Sequence, residues 1–398
     1  MLTMQFWPFV PGQGTRHPKV LSDLLAEDFD LTVLTAKSRD KVSQIDLTQA
    51  FKKVPRIVRI PTLSSCKKGL FWKTLSNLFF PLSCLMSSYN IPKFSIIFTA
   101  GPNPPFFGVP MEIVRVLRRG KYLALLTDMY PDVIFDLGLV KSAILRRILT
   151  YFCVKTYKRA DHIIVITELL KKRLMEYGVS EEKVSIVELA VDTEKFKPQE
   201  VSFDSLGLAH LAHKFIVLYS GSFGFMYDFN VLINAASKIN EINDEIHFVI
   251  RGEGDQKEII QKMLRDLSLK NVTLLGLARS ENDVISFINM ASVCLIPIKD
   301  SKGFDMTHPS KLFEFWACEK PVICCSDGEI ASLVTTHNSG ISVIPGNTEL
   351  LVEAIMKLYK DKDLCRNMGR KGRVLVEENF SYLKIRNKMS EVISRLAK

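Results

Sequence analysis

THPSKLFEFWACEKPVICCSDGE, residues 307–329, joins a polar turn, a helix start, a carboxylate and a buried strand in one unit. PVICCS (321–326) is apolar without alternation and bounded by Pro321 and Asp327-Gly328, the pattern of a parallel strand covered on both faces. Pro309 suits a first helical turn, because the N-H it lacks would have no helical partner there. N-H groups near Ser310 and Lys311 would then face outward from the positive end of a helix, which suits a phosphate. Glu314 follows about one turn on. A diphosphate at the helix end with ribose hydroxyls on Glu314 would seat a nucleotide.

The same strand-helix alternation extends in both directions. Before residue 200 the apolar runs are LTVLT (31–35), RIVRIP (56–61), SIIFTA (95–100), YLALLT (122–127), HIIVIT (162–167) and VSIVEL (184–189), with helical stretches such as 142–160 between them. It restarts with FIVLYSG (215–221), HFVIRG (247–252), VTLLG (272–276), VCLIPI (293–298), PVICCS and ISVIP (341–345). Such a series predicts an α/β protein of two Rossmann-like, doubly wound parallel-sheet domains. Expected boundaries are 1–200 and 201–380, joined near the polar, strandless 197–214, with a last helix over 381–398 returning toward the first domain. Ligands of such sheets bind beyond the carboxyl ends of the strands, so the site is expected in a cleft between the domains.

The 398 residues suffice for two cores. Eight cysteines, at 66, 84, 153, 294, 318, 324, 325 and 365, include no C-x-x-C pair, which fits buried thiols in a reducing compartment. No metal or cofactor is expected, and with no signal-peptide pattern a cytoplasmic location is. The net charge of +10 belongs to residues 1–200, and between 51 and 160 there are 18 basic residues against 4 acidic ones. A surface of this kind attracts nucleic acid, anionic lipid or a phosphorylated substrate, or simply solubilises the chain. Within it, residues 69–92 are long and apolar between Lys67, Lys68 and Lys93, but interrupted by Pro81 and several Asn and Ser. Those interruptions disfavour a membrane span and favour a core helix or one lying in an anionic bilayer interface over 67–93.

Two glycine turns follow strands of the second half: YSGSFG, with Gly221 and Gly224, and RGEG, with Arg251, Gly252 and Gly254. Each allows close approach of a phosphate, and each is equally an ordinary strand-to-helix turn. These segments, with VSIVELAVDTEKFKP (184–198) and the opening stretch, resemble the retaining glycosyltransferases of family 4, which have the two-Rossmann-domain fold called GT-B. GPNPPFFG (101–108) and DMYPD (128–132) resemble elements of that family's bacterial O-antigen, capsule and colanic-acid branch.

The resemblance implies transfer of a sugar, with retention, from a nucleotide-diphosphate donor to a saccharide, commonly one linked to a polyprenyl diphosphate. It implies peripheral work at the inner face of the cell membrane and no nucleic-acid partner. On the donor side it implies Gly221, Gly224, Arg251, Gly252, Gly254, His308, Ser310, Lys311, Leu312 and Glu314, the last holding the ribose. On the acceptor side are Gly12, Gly14 and His17 of the GQGTRHP loop, Asn103, Asp128 and Asp132. Lys311 would neutralise the departing diphosphate and Asp128 would orient or deprotonate the acceptor hydroxyl, although Asp128 also reads as a turn carboxylate before Pro131.

Two departures stand out. The family's usual glutamate eight positions before Glu314 is Met306, with Asp305 and His308 beside it, and the basic residues expected after the glycine turn are Phe225 and Tyr227. A nucleotide-sugar epimerase of the same fold, or a two-domain sugar-binding protein, is the alternative. A dinucleotide-dependent dehydrogenase is a weaker alternative still, since no G-x-G-x-x-G with an acid about 20 residues later follows the first strand.

Overall fold

A computed structural model describes residues 1–3, 13–36, 53–60, 79, 82–87, 94–100 and 108–398. They form two compact units, Met1–Glu188 with Arg386–Lys398, and Leu189–Ile385. All twelve apolar runs contain strands, with ends displaced by one to three residues, and every strand pair is parallel.

In the first unit, β1 (Thr32–Ala36) pairs with β2 (Arg56–Ile60), while β3 (Ile96–Thr99), β4 (Lys121–Leu126), β5 (His162–Val165) and β6 (Val184–Ile186) lie side by side. Leu2 bridges Leu34 of β1 and Thr99 of β3, so residues 1–3 serve as a short central strand joining the two pieces. Its N-H donates to the Phe98 carbonyl at 2.7 Å and the Thr3 N-H to that of Leu34 at 3.0 Å. The helices are α1 (Gln13–Ala26), α2 (Gly108–Arg118), α3 (Asp132–Asp136), α4 (Ala143–Arg159) and α5 (Glu168–Glu176). The GQGTRHP segment, expected as a loop, is helical from Gln13 onward. Leu21, Leu24 and Leu25 give α1 a fully buried face, and that packing outweighs the hydrogen bond lost at Pro18.

The second unit holds β7 (Phe215–Ser220), β8 (Ile246–Arg251), β9 (Val272–Leu275), β10 (Val293–Pro297), β11 (Val322–Cys325) and β12 (Gly340–Val343). Their order is β12-β11-β10-β7-β8-β9. β8, β10 and β11 are buried at every residue, because helices cover both faces. Those helices are α6 (Phe229–Ile242), α7 (Lys257–Leu267), α8 (Glu281–Met290), α9 (Lys302–Asp305), α10 (Lys311–Ala317), α11 (Glu329–Thr336), α12 (Thr348–Lys360) and α13 (Lys362–Asn379). Strand order reverses between β7 and β10, and a doubly wound sheet offers its ligand crevice at that switch point. The last helix, α14 (Tyr382–Ala397), begins in the second unit and belongs to the first from Arg386, which forks onto Asp28 and Glu27. Among the described residues no helix is long and apolar enough to cross a membrane, and seven cysteines are free and buried.

Candidate functional site

The turns leaving β7 and β8 are locked together by their backbones. Phe223 N-H donates to the Glu253 carbonyl at 2.8 Å, and Gln256 N-H returns a bond to Phe223 at 3.1 Å. The Gln256 amide also donates to the carbonyls of Gly224 at 2.6 Å and Tyr227 at 3.1 Å. Gly252, at φ 150°, brings its backbone so close to Gly221 that any Cβ there would strike the Gly221 carbonyl. On the other side, Tyr227 forms an antiparallel bridge with Ile298 just past β10. The glycine turn is therefore fixed across the switch point.

Lys311, first residue of α10, projects beneath this turn. It is 4% exposed, its ammonium lies 4.1 Å from the Tyr219 ring centroid and 4.0 Å from that of Tyr227, and it has no hydrogen-bond partner among the described residues. A side chain on Gly221 would collide with it. Burial pushes its pKa down to about 7, with Glu314 and Cys294 pulling the other way. Two aromatic faces stabilise the cation without neutralising it, leaving it able to take an anion.

His308, three residues earlier, is 7% exposed, packs edge-on against Phe313, and neither ring nitrogen makes a well-formed hydrogen bond among the described residues. Burial lowers its pKa to about 4 against a smaller upward pull from the Glu329 backbone, so the ring is neutral near pH 7. Glu314 is buried one turn beyond Lys311. Met306 is buried too, and its loop presses so closely on the next that a Cβ on Gly328 would meet the Asp305 backbone.

Seven residues are too few for a self-sustaining helix, so α10 depends on its surroundings. All seven of its residues are buried, and Trp316 donates to the Ser339 carbonyl at 3.2 Å. Helix α13 crosses it at Gly372, where a Cβ would enter the Trp316 ring. The helix begins at Lys311 and not at Pro309 as expected: Ser310 is its N-cap, without a side-chain bond, and Pro309 stands outside it. Leu312 changes role, because its side chain is wholly buried and its N-H donates to the Pro309 carbonyl at 3.0 Å. Arg251 also turns elsewhere, its guanidinium 4.0 Å over the Phe287 ring and bonded to the Asp283 carbonyl at 3.4 Å.

In the first unit Asp128 and Asp132 flank the cis Tyr130-Pro131 bond. Asp132 is clamped by Arg173 through two bonds of 2.9 Å and by the Tyr177 hydroxyl at 2.8 Å, which commits its carboxylate to structure. Asp128 accepts from Thr127 Oγ1 at 3.0 Å, and burial raises its pKa. His17 is half-buried, with a pKa lowered to about 4 by burial and Nε2 unpartnered among the described residues. Gly14 lies in α1, while Gly12 and Asn103, like most of the 67–93 segment, lie outside the described residues. The sequence reading missed the cage of Tyr219 and Tyr227, whose signal is two tyrosines on either side of a glycine turn.

A sequence profile described as Glycosyltransferase Family 4 matches residues 15–195, and one described as Glycosyl transferases group 1 matches residues 207–375. WcaL of Escherichia coli K12, named for colanic acid biosynthesis, is 22% identical over 242 residues, 60% of this chain and 58% of its own. The O-antigen chain mannosyltransferase C of Escherichia coli is 25% identical over 186 residues, 46% of this chain and 48% of its own. The chain thus spans about half the length of the curated relatives it matches. The crystal structure of HepE from Anabaena in complex with UDP-glucose shares the fold with a TM-score of 0.76 at 15% identity, covering 99% of this chain and 100% of that one. Profiles and fold agree, and the chain belongs to the group 1/family 4 glycosyltransferases of GT-B fold.

Proposed function

We propose that this protein moves a sugar from a nucleotide-diphosphate sugar to a saccharide carried on a polyprenyl diphosphate, with retention, in the assembly of a surface polysaccharide. The observation that carries the donor half is the buried, unpartnered Lys311 at the switch point of the second sheet, beside the buried His308 and Glu314. A cation held out of water without an anion is costly in the free protein and is compensated when a diphosphate arrives. Lys311 then neutralises the leaving nucleotide, Glu314 accepts from the ribose hydroxyls, and neutral His308 hydrogen-bonds the sugar on the side where Met306 offers no carboxylate. HepE was crystallised with UDP-glucose, which makes UDP-sugars a first choice of donor.

Asp128, its carboxylate pKa raised by burial, orients or deprotonates the acceptor hydroxyl. Retention and the lipid-linked acceptor rest on the family resemblance. Such an acceptor places the enzyme peripherally on the cytoplasmic face of the membrane. No observation favours the epimerase alternative.

A thermal-shift screen of nucleotide sugars, followed by transfer to lipid-linked saccharides, tests the proposal. Glu314→Ala should weaken the stabilising donor about tenfold to a hundredfold by removing charge-assisted ribose bonds. Donor affinity unchanged by that substitution would remove the ribose assignment.

A further inference from the structure

Helix α4 (Ala143–Arg159) carries two apolar stripes where a packed helix needs one. Leu149, Cys153 and Tyr157 form the first and are buried against the first unit's core. On the opposite side run Ile144, Leu145, Ile148, Tyr151 and Phe152, spaced by three and four residues, with exposures from 42% to 75%. Neighbouring α2 leaves Ile113, Val116 and Leu117 exposed as well. Isolated apolar residues on a surface are ordinary, whereas a continuous stripe of large side chains calls for a covering partner.

The charges around the stripe select that partner. Residues 137–160 contain six Lys and Arg and no Asp or Glu. Arg147, Lys155, Lys158 and Arg159 are exposed. Lys155 lies along the stripe, with its ammonium 3.3 Å from the Tyr151 hydroxyl. Glu112 and Asp161, acids of neighbouring segments, are both paired with Arg115, at 2.8 and 3.6 Å. Long cationic side chains that lift their heads beside an apolar stripe match a layer of anionic headgroups over acyl chains.

We infer that the outer face of α4 docks on an anionic bilayer surface, with Ile144, Ile148 and Phe152 entering the acyl boundary and Arg147, Lys155 and Lys158 meeting headgroup phosphates. This deepens the membrane-face part of the proposed function and assigns the contact to α4 instead of to the 67–93 segment. It does not depend on the donor assignment, whose residues lie in the other unit.

The full chain should co-sediment with vesicles of phosphatidylglycerol mixed with phosphatidylcholine and bind poorly to pure phosphatidylcholine. Ile148→Ser with Phe152→Ser should lower the partition coefficient about tenfold. Arg147→Glu with Lys155→Glu should lower it about as much and flatten its salt dependence. Both double variants should keep the parent's unfolding temperature and its thermal shift with nucleotide sugars. The inference is overturned if both variants sediment like the parent, or if only reversing Lys67, Lys68 and Lys73 abolishes binding. It is equally overturned if the parent is a dimer that Ile148→Ser with Phe152→Ser dissociates without affecting vesicle binding, since a second copy would then be the cover.

Discussion

At the carboxyl edge of the six-stranded sheet, Lys311 is buried without a hydrogen-bond partner among the described residues. Beyond β4 in the first unit, Asp132 is only partly buried, its side chain 15% exposed, and is gripped by both Arg173 and Tyr177. Buried charges are normally paired, because an uncompensated one is expensive. The clamp on Asp132 needs nothing further to be stable, whereas the ammonium of Lys311 has no hydrogen-bonded anion among the described residues. Within the second unit the same contrast separates Lys311 from Arg251, whose guanidinium already rests on Phe287 and the Asp283 carbonyl.

The sharpest way to break this comparison is to exchange the roles of the two aspartates. Asp132→Ala should cost about 1–3 kcal/mol in denaturant unfolding, since Arg173 and Tyr177 lose their shared acceptor. Asp128→Asn should change stability by less than roughly 0.5 kcal/mol and instead reduce transfer at least tenfold, about 1.4 kcal/mol of barrier. A stability loss at Asp128 with transfer retained would assign it to the turn before Pro131.

A smaller effect, dependent on pH, follows from Lys311. Its pKa in the free protein, about 7, lies below the unfolded value, so the folded state sheds this proton first. The penalty of holding the charge is present below pH 7 and relaxes as pH rises toward 10, which makes the free protein more stable on the alkaline side. Donor binding runs the opposite way. The diphosphate favours charged Lys311, so affinity should fall by up to about tenfold per pH unit above 7, about 1.4 kcal/mol per unit. Calorimetric titration of a nucleotide sugar from pH 6.5 to 9 checks this, and Lys311→Arg should flatten the slope.

Much of the fold was legible because parallel strands buried on both faces are unbroken apolar runs, and all twelve were read to within three residues at each end. The central strand at Leu2 was not, since three residues carry no period and its partners Leu34 and Thr99 lie far along the chain. The helix over Gln13–Ala26 was hidden by Pro18, whose local signal says turn while the leucines beyond it dictate burial. In the candidate site, Lys311, His308 and Glu314 could be picked out by their spacing around one helix start. Their surroundings could not. Lys311 meets Tyr219 and Tyr227 across more than eighty residues of sequence, and Asp132 finds Arg173 across forty-one, contacts set by strand order and not by neighbourhood.

The most direct test removes the charge of Lys311 itself. Lys311→Met keeps the length and apolar stem of the side chain but removes the charge, and the unfolding temperature is measured with and without a nucleotide-diphosphate sugar. The free variant should be more stable than the parent, by about 1–2 kcal/mol, and the donor should no longer raise its unfolding temperature. A variant less stable than the parent that still gains the full shift from the donor would contradict the assignment of Lys311 as an anion site held open in the free protein.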